Sequence, residues 1–129
     1  MSRRQEFRVP ELSEPVSHYT DAVRGGELLF VSGCIAVDGG GVLVGGDDVV
    51  AQTRQVFANL TAALAAAGVS LRDVVKVTVY LTDVRDRAAV NTVREEMFGE
   101  TRPASTLVEV SNLVLEGARV EIDAVALLP

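Results

Sequence analysis

"DDVVAQTRQVFANLTAALAAAGVSLRDVVKVTVYLTD", residues 47–83, decides the fold, because it holds two different hydrophobic periods in succession. Val49, Thr53, Val56, Leu60, Ala63 and Ala67 recur at three- and four-residue spacing, the period of one helix face. Asp47 or Asp48 can cap that helix and Gly68 ends it. Its alanine-rich end lets it lie close against a sheet. "VVKVTVYLTD" then alternates with period two, Val75, Val77, Val79 and Leu81 on one face and Lys76, Thr78 and Tyr80 on the other. An amphipathic helix of five to six turns followed by a central or half-buried strand is the expectation.

Upstream, "DAVRGGELLFVSGCI" (residues 21–35) reads as a β-hairpin turning at Gly25 and Gly26. The glycine-rich "DGGGVLVGG" lacks the Lys-Ser/Thr of a phosphate loop and reads as a second turn or loop. Downstream, Asp83 or Asp86 can start a second helix with Val90, Val93 and Met97 as its apolar stripe. Arg87, Asn91 and Arg94 share another of its faces, and Gly99 closes it. "ASTLVEVS" and "ARVEIDAVALL" finish the chain as strands joined by a turn around Glu116 and Gly117. The order predicts a single α+β domain over residues 1–129, with two helices on one face of a mostly antiparallel or mixed sheet. Both faces of the last two strands carry apolar side chains, whereas two helices cover one face. Self-association through the other face follows.

A chain of 129 residues, 48% hydrophobic and 23% charged, can bury a core without staples, and no segment has the length and apolarity of a membrane span. "MSRRQEFRVPEL" has no apolar core segment and no small-residue cleavage site, which predicts a cytoplasmic rather than a secreted protein. The net charge of −6 argues against sequence-independent nucleic-acid binding. With one cysteine (Cys34) and one histidine (His18), neither an intrachain disulfide nor a Cys/His zinc site can form, although a carboxylate site for magnesium stays open.

Four groups of residues could carry chemistry: His18-Tyr19, Ser32-Gly33, Asn91, and Glu121 with Asp123. Each also has a plainer reading: a loop histidine and packing aromatic, a turn hydroxyl, a solvated helix residue, charges at a sheet edge. Glu121 is the strongest, since a carboxylate inside the apolar alternation "RVEIDAVAL" is costly to bury without partners. No G-x-S-x-G elbow occurs, and His18 is the sole imidazole available to Ser32 or Cys34, which disfavours triad hydrolysis. Adding water to an already electrophilic carbon suits one carboxylate and a few hydrogen-bond donors.

"HYTDAVRGGELLFVSGCI", "AQTRQVFANLTAALAAAGVSLRDVVKVTVYLTDV", "AVN", "RPASTLVEV" and "VEIDAVA", in unbroken order over residues 17–128, together resemble the reactive intermediate deaminase (RidA/YjgF) family, formerly named L-PSP endoribonucleases. The resemblance implies a chorismate-mutase-like subunit in a homotrimer, with an inner barrel of sheets and a small-molecule site in each cleft between neighbours. It implies hydrolysis of reactive enamines or imines such as 2-aminoacrylate to a carbonyl compound and ammonia, without metal or organic cofactor. Carried over, Tyr19, Ser32, Gly33 and Asn91 line the site and Glu121 positions the attacking water. Position 105 departs from the pattern: Ser105 stands where deaminating members have an arginine that clamps the substrate carboxylate, and Leu107 replaces a common cysteine. Arg94 is a candidate substitute and His18 another source of specificity, whereas Arg102, in odd register with Ser105, should point to the opposite face if the strand extends that far. A substrate with a reduced or absent anionic group is therefore expected. The alternative is a non-catalytic small-molecule-binding or chaperone-like trimer. Ribonuclease activity is implied only by the older name, and the acidic charge disfavours it.

Overall fold

The computed structural model describes residues 3–129; Met1 and Ser2, at the head of the segment read above for a leader, lie outside the described residues. Asp48 caps the first helix, α1 (Val49–Ala66), its carboxylate accepting from the N–H groups of Val50 and Ala51 at 3.0 and 3.2 Å. The helix stops before Gly68, whose φ of 78° is open to glycine at little cost. The second helix, α2 (Arg87–Phe98), ends at Gly99 with φ 62°. Its start resolves the two aspartates: Asp83 caps a preceding 3₁₀ turn through the Arg85 N–H at 2.9 Å, and Asp86 holds the Arg119 guanidinium by two 2.9 Å bonds.

Six strands form one mixed sheet: β1 (Arg4–Phe7), β2 (Ala22–Gly25), β3 (Leu28–Cys34), β4 (Val74–Leu81), β5 (Ala104–Glu109) and β6 (Val120–Leu127). Their spatial order is β1-β2-β3-β6-β4-β5, with every pairing antiparallel except β4 with β5. The last strand thus lies at the centre. Both helices pack on one face, where Val56, Phe57, Leu60 and Leu64 of α1 and Val90 and Val93 of α2 are fully buried with Leu29, Val77, Val79, Leu81, Val120 and Ala126. No helix among the described residues is long and apolar enough to cross a membrane.

Several expectations are corrected. The hairpin turns at Gly26 and Glu27, because Gly25 still pairs with Leu28; only Gly26 has positive φ (63°), as in a type II′ loop. In β4 the inward face is Val74, Val77, Val79 and Leu81, and Val75 is 40% exposed. A bulge between Val74 and Lys76 adds one residue there and inverts the alternation. Strands β5 and β6 do not pair, since β4 separates them, and β5 is largely exposed along its length within one chain. Met97, expected in the apolar stripe, is at the surface. Strand β1 was not foreseen.

Gln52, a polar residue on the buried stripe of α1, is 0% exposed. Its amide donates to the carbonyls of Gly46 (2.6 Å) and Gly117 (2.9 Å), and its oxygen accepts from the Arg119 N–H (2.8 Å). One side chain thereby ties the helix start to the turn that launches β6. Gln52→Leu leaves three backbone groups without that partner. Urea unfolding should show a loss of about 2–4 kcal/mol, well beyond the effect of an ordinary surface substitution.

Candidate functional site

Strand β3 carries the feature that shapes the site. Val31 pairs with Ala124 and Cys34 with Ile122, so three steps along β3 match two along β6. Ser32 and Gly33 together oppose Asp123, a β-bulge. The Glu121 carboxylate fills the space left at Gly33: a Cβ there would collide with Oε2 and stand 2.7 Å from the carboxyl carbon. Any side chain at that place would have to displace the Glu121 carboxylate, while the backbone angle itself makes no demand for glycine.

Around the bulge a cleft of about 540 Å³ opens, bounded by Tyr19, Ser32, Gly33 and Glu121 with apolar wall from Ile35 and Leu115. Glu121 is half-buried and accepts no hydrogen bond within the chain among the described residues. Burial first, and the neighbouring Asp123 charge second, raise its pKa above the ordinary 4.5. Asp123 itself accepts from the Tyr80 hydroxyl at 2.9 Å, which holds that pair in place on the same sheet face. The Ser32 hydroxyl donates to the Thr20 carbonyl at 2.6 Å, so its proton is committed within the chain, and Ser32 lines the cleft. Tyr19 is 47% exposed at the mouth. Cys34 is buried, and loss of hydration pushes its thiol up to about 12, so it supplies no thiolate near neutral pH.

The remaining predicted residues lie elsewhere. In parallel pairing Ser105 sits beside Val77 and Leu107 beside Val79, on the helix-covered face, whereas Glu121, paired with Tyr80, faces the other way. Within one chain Ser105 and Glu121 are therefore on opposite faces of the sheet. Ser105 accepts from Arg94 Nη2 at 2.8 Å, and Arg94 Nη1 donates to Asn91 Oδ1 at 3.2 Å. Asn91 and Arg94 line a second cleft of about 400 Å³ with Phe98, Thr101 and Arg102. Strand β5 begins at Ala104, so the condition under which Arg102 would point away is not met, and Arg102 lines the same cleft as Arg94. Leu107 packs against the core and borders neither cleft, and His18 is exposed in the loop before Tyr19 and borders neither.

Two residues of the first cleft escaped the sequence reading. Asp21, 8% exposed, accepts from Arg8 Nη1 (2.8 Å) and from the Val9 N–H (2.7 Å), anchoring the loop that forms one wall. Asn59 donates to the carbonyls of Ile35 (3.0 Å) and Val37 (2.9 Å), fixing the chain beyond β3 against α1. The signal for Asn59 was present: Gln52, Gln55 and Asn59 form a polar line at spacings of three and four beside the apolar stripe.

The chain is an α+β domain with a half-buried carboxylate, unpartnered among the described residues, set against a strand bulge, and with a second polar cleft on its other side. The family model described as Endoribonuclease L-PSP matches residues 11–128. A RutC family protein of Pyrococcus horikoshii is 47% identical over 114 residues, covering 88% of this chain and 89% of its own. The mitochondrial protein mmf1 of Schizosaccharomyces pombe is 37% identical over 131 residues, covering 98% and 78%. The crystal structure of RidA from an Antarctic Psychrobacter superposes with a TM-score of 0.90 at 36% identity, covering 96% of this chain and 99% of that one. The chain belongs to the RidA/YjgF/L-PSP family.

Gly33→Ala is expected to expel the Glu121 carboxylate toward water. A carbon-13 NMR titration of the side-chain carboxyl should then show its pKa falling back toward 4.5. An unchanged titration would mean that the bulge does not hold this group.

Proposed function

We propose that this protein is a Rid-type hydrolase that adds water to a reactive enamine or imine, giving a carbonyl compound and ammonia, in clefts between the subunits of a homotrimer. The observation that carries the reading is the Glu121 carboxylate, half-buried, free of internal hydrogen bonds among the described residues and facing a cleft of about 540 Å³. Ionised, it accepts a hydrogen bond from a water and takes that water's proton as the oxygen attacks the imine carbon. Glu121 returns that proton to the nitrogen, giving a neutral carbinolamine. Its C–N bond then breaks as the hydroxyl proton passes to the nitrogen, leaving the carbonyl compound and ammonia. Ser32 and Tyr19 orient the substrate at the same cleft. The chemistry calls for no stronger nucleophile, since the imine carbon is already electrophilic.

An exposed apolar face supports the reading in a second way. The sheet face away from the helices carries Leu28, Phe30, Val125 and Leu127, with Phe30 and Leu127 47% and 50% exposed in one chain. Covering them with neighbouring sheets buries that surface. It also allows the Glu121 cleft of one subunit to meet the Asn91, Arg94 and Ser105 group of the next. Phe30→Asp is expected to reduce the mass measured by light scattering from three subunits to one, and to abolish turnover with it.

Incubation with iminoalanine generated enzymatically, and with a neutral imine, followed by ammonia release, tests the activity. Glu121→Gln should lower it about 10²- to 10⁴-fold. In the unaltered protein the rate should rise with pH through a midpoint above 4.5, the direction in which burial moves Glu121. The native state holds that proton more tightly than the unfolded chain does. The Glu121 contribution to stability therefore falls as pH rises from 4.5 through the raised value, and Glu121→Gln should melt higher at neutral pH. Turnover unaffected by Glu121→Gln would exclude the mechanism. Ligand binding without any turnover in the unaltered protein would favour a non-catalytic trimer.

A further inference from the structure

Lys76 is the chain's single lysine. It stands on the sheet face away from the helices, opposite Val125 of β6, and its ammonium donates to Thr106 Oγ1 at 2.7 Å. Asp123 stands on that face too, held by the Tyr80 hydroxyl at 2.9 Å. Among the described residues neither charge enters an ion pair, and each is bound by a neutral hydroxyl. The two also lean apart. Lys76 reaches from β4 toward the edge strand β5, whereas Asp123 lies on β6, inside the sheet between β3 and β4. Around them the face is apolar, with Phe30 and Leu127 47% and 50% exposed and Val125 between Lys76 and Phe30 in the register.

Covering that face with another sheet takes water from every group on it, and a covered charge is costly unless it meets an opposite one. A cation toward the edge of the sheet and an anion at its middle are both satisfied when the edge of one copy lies on the middle of the next. Such a contact joins two different patches and repeats into a closed ring. The register agrees. Ser105 and Thr106 are consecutive on β5, while Glu121 and Asp123 are two apart on β6, about 7 Å along the strand. An approach that brings Ser105 of one copy to the Glu121 cleft of the next therefore carries Thr106 and Lys76 toward Asp123.

We propose that Lys76 of one copy pairs with Asp123 of the next across the covered sheet face, once at each interface of the trimer. The pair rests on the homotrimer reading and goes beyond it by naming the contact that sets one sheet against its neighbour. Apolar surfaces tolerate sliding, whereas a charge with one available counter-charge fixes register and partner.

Sedimentation of the intact protein over a dilution series tests the pair. Lys76→Gln and Asp123→Asn should each raise the concentration at which the trimer comes apart at least about tenfold, since each leaves one charge covered and unpaired. Lys76→Arg, which keeps the charge, should preserve most of the association. The reversals Lys76→Asp and Asp123→Lys should each weaken it further, and the two combined in one chain should recover most of the loss. Reductive methylation reads the same contact without any substitution: the single lysine should react in the dissociated chain and be protected in the assembly. A dissociation midpoint unchanged in both neutral variants, or a combined reversal no better than the single ones, overturns the pair and leaves the trimer standing. A lower melting temperature at an unchanged midpoint, as an ion pair inside one chain would give, does the same. Sedimentation as one subunit at every concentration overturns the homotrimer, and the pair with it.

Discussion

The structure depends on the insertion of β6 between β3 and β4. Both of those strands belong to earlier parts of the chain, and neither can bury its inner edge until the last eight residues of strand arrive. Val120, Ile122, Ala124 and Ala126 then close the helix-side core, while Glu121 and Asp123 project from the opposite face. A strand paired on both edges has most of its backbone groups satisfied by the ladder. That rigidity is what permits a carboxylate to be held, half-desolvated, at one defined point. The turn before β6 is secured by Gln52 and by the Arg119–Asp86 pair, so both helices have a stake in where the strand begins.

Chemistry follows from two local departures from regular pairing. The bulge at Ser32 and Gly33 opens a niche in β3, and the absence of a side chain at Gly33 lets the Glu121 carboxyl occupy it. Burial raises the pKa of Glu121 without giving it an internal partner among the described residues, a state suited to holding water rather than to building a salt bridge. Across the sheet, Arg94 shows the complementary condition, a cation whose neighbours are neutral. The two groups lie on opposite faces of one subunit's sheet. In the proposed homotrimer the two groups meet from different copies of the chain, across the face on which Phe30 and Leu127 stand exposed.

Much of this was legible in the residues. The helix over 49–66 and its cap, the period-two character of β4 and β6, and the singular position of Glu121 all follow from local spacing and from the cost of burying charge. Other features were not. The inversion at Val75 comes from one extra residue in β4, which alternation alone cannot report. The separation of β5 from β6 depends on which edges are left unpaired, a property of the whole sheet. The burial of Gln52 could not be read locally, because two of its three backbone partners, at Gly117 and Arg119, are distant in sequence.

By itself the amino-acid sequence determined the elements, the family resemblance and the identity of the chemically distinctive residues, since propensity, periodicity and residue type act over a few positions. Tertiary structure alone decided their grouping. Tyr19, Ser32, Gly33 and Glu121 share one cleft while Asn91, Arg94 and Ser105 cluster on the other face, because strand order and two bulges set which way each side chain points. Those are long-range pairings, and no window of sequence contains them.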